Sequence, residues 1–223
     1  MMSAIMAAFG AAMIVLAVIA ARCRDSEPVI SALTVFVSLG LAYDNFAVAV
    51  GSLVGYGDVV SAINVPRFWL HVFALPLLIV VCGVLVARLG VGWLRTRTAA
   101  IAGVALVIAL VIIGCVEELT PLVLVESDTG GLTRYVNDAM HGPPIPAIAT
   151  IVVLSVLGAS AWHAASWPWL IAGALVMFAA ASVTGVLWIS NAGELVLQTT
   201  VVATLVWVAG LTRVDTTSIG VTA

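Results

Sequence analysis

The sequence predicts an all-α polytopic membrane protein, with seven transmembrane helices in one bundle and a single domain over residues 1–223. Two compositional facts and one pattern predict it. Of 223 residues, 63% are hydrophobic and only 9% are charged, and the mean hydropathy is +1.24. A soluble domain is about 45–50% apolar and about 25% charged, so too few charges exist here to cover a water-facing surface. The same composition excludes disorder. The pattern is a recurrence of apolar runs near the length of about 20 residues that a helix needs to cross hydrocarbon.

Seven such runs are read, at 2–21, 29–51, 67–88, 98–117, 145–163, 168–189 and 194–212. The first lacks a basic segment before it and is followed by Arg22 and Arg24, which reads as a retained helix rather than a signal peptide. The third opens at Pro66-Arg67, with proline at the first helical position. Connections are short except 118–144, which carries Asp128-Thr129-Gly130-Gly131 and ends His141-Gly142-Pro143-Pro144. A loop this long is usually functional or mobile, and its Leu122-Val123-Leu124-Val125 run suggests a lid dipping into the interface.

Arginine placement gives the orientation. Arg22, Arg24, Arg88, Arg95, Arg97 and Arg213 fall on one side and Arg67 and Arg134 on the other. That puts the N-terminus outside and the C-terminus in the cytoplasm. The all-arginine, Ala/Val-rich composition suggests a high-GC bacterial genome, hence the inner (plasma) membrane.

Several function classes drop out. The chain has no lysine, which excludes a retinal Schiff base. A net charge of −3 without a basic patch argues against nucleic acid. Cys23, Cys82 and Cys115 have no disulfide or metal-ligand spacing. No Asp-Asp-x-x-Asp pair is present for magnesium diphosphate, and no metal or cofactor is expected. Val54-Gly55-Tyr56-Gly57-Asp58 copies the core of a potassium-filter signature, but Leu53 replaces its threonine and no pore helix precedes it. Glu117-Glu118 begins the Glu-Glu-x-x-x-Arg motif of intramembrane proteases, but Leu122 holds the arginine position.

Ionisable groups at membrane depth are costly, about 2.5–3.5 kcal/mol each at a helix centre, and so point to function. Asp44 shares a helix face with Gly40, Ala47 and Gly51, a small-residue face of the kind that packs on neighbouring helices. Its carboxyl is therefore expected inside the bundle. Asn45 lies on the stripe of Ser31, Thr34 and Ser38, where it either bonds Asp44 or bridges helices. Arg67 and His71, at i and i+4, share a face and are placed to pair Asp44 or hold a polar ligand group. Glu117 and Glu118 end the fourth span and diverge by about 100°, so one of them faces inward, with Glu118 favoured by its stacking over Gly114. Glu194 opens the seventh span beside Asn191 and Gln198. Tyr43, Phe46, Tyr56, Phe68, Trp69, Phe73 and Trp188 crowd the outer half, and Trp162, Trp167 and Trp169 the opposite interface, as an aromatic belt would. Inward carboxyls beside aromatics suggest acid chemistry. Burial favours a neutral carboxyl that can protonate an alkene, and ring faces stabilise a carbocation.

The stretch Tyr43-Asp44-Asn45, Gly51, Gly55-Tyr56-Gly57-Asp58, Pro66-Arg67-Phe68-Trp69-Leu70-His71 and Pro76 resembles the small bacterial integral-membrane terpene cyclases of the drimentine-pathway type. These are functional cousins of the seven-helix fungal meroterpenoid cyclases. The resemblance implies metal-independent, proton-initiated cyclisation of a linear isoprenoid or prenylated substrate, with an acidic residue at the Asp44 position as proton donor. The expected site is then Asp44 as acid; Glu117, Glu118 and Glu194 as further acids; Asn45, Arg67 and His71 on the substrate; and Tyr43, Trp69, Phe73 and Trp188 lining the cavity. A proton-coupled transporter or a lipid-binding membrane protein using the same carboxyls is the alternative. The expected partners are the isoprenoid and membrane lipid.

Overall fold

Apolar composition makes the helices, and a few polar contacts fix how they meet. The computed structural model describes residues 1–129, 131–139, 144–183 and 186–219, with side chains for all of these except 129 and 213–219. His141, Gly142, Pro143, Gly130 and the side chain of Arg213, which entered the reading of the loop and the orientation, lie outside the described residues.

The chain forms α1 (Met2–Ala21), α2 (Pro28–Val54), α3 (Asp58–Arg88), a 3₁₀ turn (Gly92–Arg95), α4 (Arg97–Gly114) running into a π turn (Cys115–Leu119), strands β1 (Leu124–Thr129) and β2 (Leu132–Asn137), α5 (Ile145–Ala165), α6 (Trp169–Ala181) and α7 (Leu187–Ile219). Among the described residues, six helices are long and apolar enough to cross a membrane. A shared core runs through α1, α2, α3, α5, α6 and α7, including Met13, Val37, Leu78, Leu154, Leu170 and Leu205. Helix α4 sits at the side and is little buried. At one end, Ser31 Oγ donates to Ala20 O at 2.6 Å, and Arg88 Nε lies 3.5 Å from the buried Glu27 Oε1.

Four sequence expectations are corrected. The fold is not purely α, because residues read as loop form an antiparallel hairpin with Thr129 paired to Leu132. A Gly-Gly pair between two strand runs is a hairpin signal in the sequence; Gly131 has φ +75°, which glycine adopts without strain. Helix α3 starts at Asp58, nine residues before the expected 67. Its first turns carry Asp58, Ser61 and Asn64, which depress hydropathy without opposing a helix, and Asp58 complements the N-terminal dipole. Pro66 therefore lies inside the helix, where neighbouring groups in a bundle can satisfy the backbone it interrupts.

The remaining two corrections concern the sixth and seventh spans. The expected sixth span, 168–189, breaks into α6 and the start of α7. At 13 residues, α6 is about 20 Å long, short of the roughly 30 Å hydrocarbon. Hydropathy measures composition and not continuity, and Ser182 Oγ turns back onto Phe178 O at 2.8 Å where α6 ends. Trp188 and Asn191 thus belong to α7, which begins seven residues before the expected 194.

The hairpin caps one end of the bundle. Ser52 Oγ accepts from Thr133 N at 3.0 Å, and Tyr135 Oη accepts from Gly57 N at 3.1 Å. Leu132 packs with Met6, Val48 and Ala49. Gly51 faces both this strand and α3: a Cβ there would stand 2.7 Å from Thr133 O and 3.3 Å from the Val60 side chain.

Candidate functional site

The short α6 leaves room at the hairpin end for a cavity of about 820 Å³, within the roughly 300–1,000 Å³ range of ligand pockets. Its deeper wall is apolar, with Leu75, Leu78, Ile151, Met177 and Leu197. Its ionisable groups are Asp44, Arg67, His71, Glu118, Arg134 and Glu194.

Asp44 is 2% exposed on α2. Arg67 Nε on α3 donates to Asp44 Oδ1 at 2.7 Å, and Arg67 Nη1 donates to Asn64 Oδ1 at 2.6 Å. Asn191 Nδ2 on α7 donates to both Asp44 Oδ2 and Asn45 Oδ1 at 3.2 Å. Both Asp44 oxygens are therefore engaged, and Asn45 is held behind them, bridging α2 and α7 and donating to Leu41 O at 2.8 Å. The pair forms because i, i+4 spacing turns Arg67 and His71 to one side of α3, and the Gly40–Asp44–Ala47 face turns Asp44 toward it.

His71 sits between two carboxyls. Its Nδ1 is 2.9 Å from Arg67 O and 3.9 Å from Asp44 Oδ1, and its Nε2 is 3.7 Å from Glu194 Oε1. A carbonyl oxygen only accepts, so Nδ1 carries a hydrogen. The Nε2–Glu194 separation of 3.7 Å is an ion-pair distance and is too long for a hydrogen bond. Glu194 is buried, and its Oε2 has no hydrogen-bond partner among the described residues. An unpaired buried carboxyl oxygen is costly, and this one belongs to a residue that lines the cavity.

Asp44, His71 and Glu194 each offer one ligand atom within 4.8 Å of the others. The geometry could hold a divalent cation. Arg67, however, already holds Asp44 Oδ1 and would face the ion with its own positive charge, so these groups fit a proton path better than a metal centre.

The two glutamates at the end of α4 both lie in the π turn. Glu118 lines the cavity and Glu117 does not. Such single π turns recur at functional sites. Its carbonyl is held by Asn137 Nδ2 at 2.9 Å, tying this corner to the hairpin.

The aromatics chosen from sequence lie away from the cavity. Trp69 and Phe73 stack on one another at 5.9 Å on the outer face of α3, 48% and 37% exposed. Tyr43 is also exposed, its hydroxyl donating to Ile63 O at 2.9 Å. Trp188 packs beside Met6, Val48 and Leu132. The physical reason is register: Trp69 lies about 200° round the helix from Arg67, while Phe68 turns inward. Phe68 and Phe178 line the cavity instead.

Sequence reasoning placed Asn191, Gln198 and Arg134 without giving them a site role. Gln198 Nε2 donates to Ser38 Oγ at 2.8 Å, its Oε1 has no partner among the described residues, and it lines the deep wall. The i, i+3, i+4, i+7 set Asn191, Glu194, Leu195 and Gln198 could have shown the shared face. Arg134 lies on β2, where no helical periodicity could place it. Burial and the nearby Arg67 guanidinium push Arg134 below the ordinary arginine range, with Asp44 opposing.

No protein-family model, curated protein or solved structure matches this chain.

Proposed function

We propose that the protein is a membrane-embedded terpene cyclase, in which a buried acid protonates a linear isoprenoid or prenylated substrate without a metal. One observation carries the reading: a Glu194 carboxyl oxygen without a partner among the described residues, on a residue lining a mainly apolar cavity, backed by His71 and the Asp44–Arg67 pair. The sequence resemblance points the same way.

Glu194 fits the donor role better than Asp44, whose oxygens both serve other groups. Glu194 gives its proton to one alkene carbon, and the neighbouring carbon becomes cationic. Further alkene π electrons close the ring by forming C–C bonds. A C–H bond next to the final cation breaks, its electrons form the new alkene, and the proton returns to Glu194 or to His71 Nε2. Atoms balance, and the reaction is an isomerisation. The Asp44–Arg67 pair positions His71, and the apolar wall folds the chain while excluding water. Phe68 and Phe178 present ring density to the cation.

The chain is proposed to sit in a bacterial inner membrane as a single seven-helix bundle, with α6 spanning only in part. The N-terminus and hairpin face outward, and Arg22, Arg24, Arg88, Arg95 and Arg97 lie at the cytoplasmic end.

The test is turnover of farnesylated and geranylgeranylated substrates by protein in lipid nanodiscs prepared in D₂O. Cyclic product carrying one deuterium from solvent is expected, and Glu194→Gln should lose it by about 10²-fold or more. Wild-type turnover in that variant would remove Glu194 as the acid. The small aromatic share of the wall favours a second reading, a lipid-binding protein; saturable isoprenoid binding without product would select it.

A further inference from the structure

Arg134 and Glu118 are the two ionisable cavity residues that the proposed cyclisation leaves without a task, and Arg134 is the cation of the two. It stands opposite Ser127 in the hairpin ladder and lines the cavity from the cap side. Its Nε is buried and has no hydrogen-bond partner among the described residues. The nearby compensating charge, Asp44, is already held by Arg67 at 2.7 Å. Among the described residues Arg134 makes no ion pair with Glu118, Glu194 or any other carboxylate.

Arg134 as a whole is half-buried; a guanidinium partly withdrawn from water without a counter-ion is unfavourable, and its planar fork matches the oxygens of a phosphate or carboxylate. The opposite wall is mainly hydrocarbon, with Leu75, Leu78, Ile151, Met177 and Leu197 beside the amide of Gln198. A ligand that satisfies both ends has one anionic head and one long apolar tail. We infer that Arg134 binds the anionic head group, a phosphate or carboxylate, of an amphiphile whose hydrocarbon fills the cavity. This rests on the reading that the cavity takes an isoprenoid chain, and it makes the substrate an anionic isoprenoid rather than a free hydrocarbon or alcohol. The hairpin then acts as the head-group clamp, and the tail extends from it past Glu194 toward Leu78 and Gln198.

The test uses the full chain in phosphatidylcholine nanodiscs, with empty discs as the partition control. Farnesyl monophosphate and farnesol are the probes, measured by calorimetry. Farnesyl monophosphate is expected to bind about tenfold tighter or better, the scale of one charge-assisted contact. Arg134→Gln should bring the phosphate down to the affinity of the alcohol, and Arg134→Lys should keep part of the preference. Inorganic phosphate and phosphatidylglycerol discs identify the source of the head group. Competition by phosphatidylglycerol supports the anion site with a lipid occupant. Competition by inorganic phosphate alone supports it with a free anion. Equal binding of phosphate and alcohol by the wild type, a preference that survives Arg134→Gln, or loss of farnesol binding in Arg134→Gln and Arg134→Lys alike would overturn the inference. The same pair of probes is measured on Glu194→Gln. There, the phosphate preference reports on Arg134 whatever happens to turnover, so failure of the cyclisation reading and failure of this one appear in different variants.

Discussion

Asp44→Ala tests the centre of the site through stability alone. Asp44 and Arg67 are 2% and 6% exposed, so neither charge is solvated when its partner is removed. The substitution deletes the acceptors of Arg67 Nε and Asn191 Nδ2 and leaves the guanidinium with Asn64 Oδ1 as its remaining bond. Breaking a buried pair by removing one partner costs about 3–5 kcal/mol, whereas replacing both with apolar groups is often neutral. Asp44→Ala should therefore lower stability by about 3–5 kcal/mol. Combining it with Arg67→Met should recover about 2–3 kcal/mol of that. Unfolding by sodium dodecyl sulfate in mixed micelles, followed by circular dichroism, gives both values. A single variant within about 1 kcal/mol of wild type, or strict additivity in the double variant, would refute a dry, mutually compensated pair.

Two further predictions concern the cap and the cavity wall. Gly51→Ala places a Cβ 2.7 Å from the Thr133 backbone oxygen, so the hairpin should be displaced at a cost of about 1–3 kcal/mol. Faster amide exchange confined to 124–137 would register it. Phe68→Ala should weaken binding of farnesol to the nanodisc-held protein by roughly tenfold. Trp69→Ala and Phe73→Ala, on the outer face of α3, should leave it near wild type, and the reverse order in a binding titration would contradict the assigned wall.

Local chemistry made much of this protein legible. Asp44 had to point inward because its face is glycine and alanine, and Arg67 and His71 had to travel together because four residues make about one turn. Those two facts alone bring the pair and the imidazole to one place. Glu118, favoured by its place over Gly114, lines the cavity where Glu117 does not, whereas the π turn that holds both leaves no hydropathy trace. The aromatics show the opposite case: a belt composition is the same for rings that face lipid and rings that face a cavity, and only the register of α3 separates Phe68 from Trp69.

What the sequence determined by itself was the solvent and the secondary structure this solvent demands. With 9% charge, the backbone must satisfy its own hydrogen bonds, and helices follow. Only tertiary structure decided where the helices leave space. Helix α6 stops at Ala181, the hairpin folds back over α2 with its Leu132 buried beside Val48, and α7 brings Asn191 to Asp44 and Glu194 to His71 from 147 and 123 residues away in the chain. Contacts between residues so far apart depend on how long each element runs and where it turns. An apolar run of the right composition does not encode that.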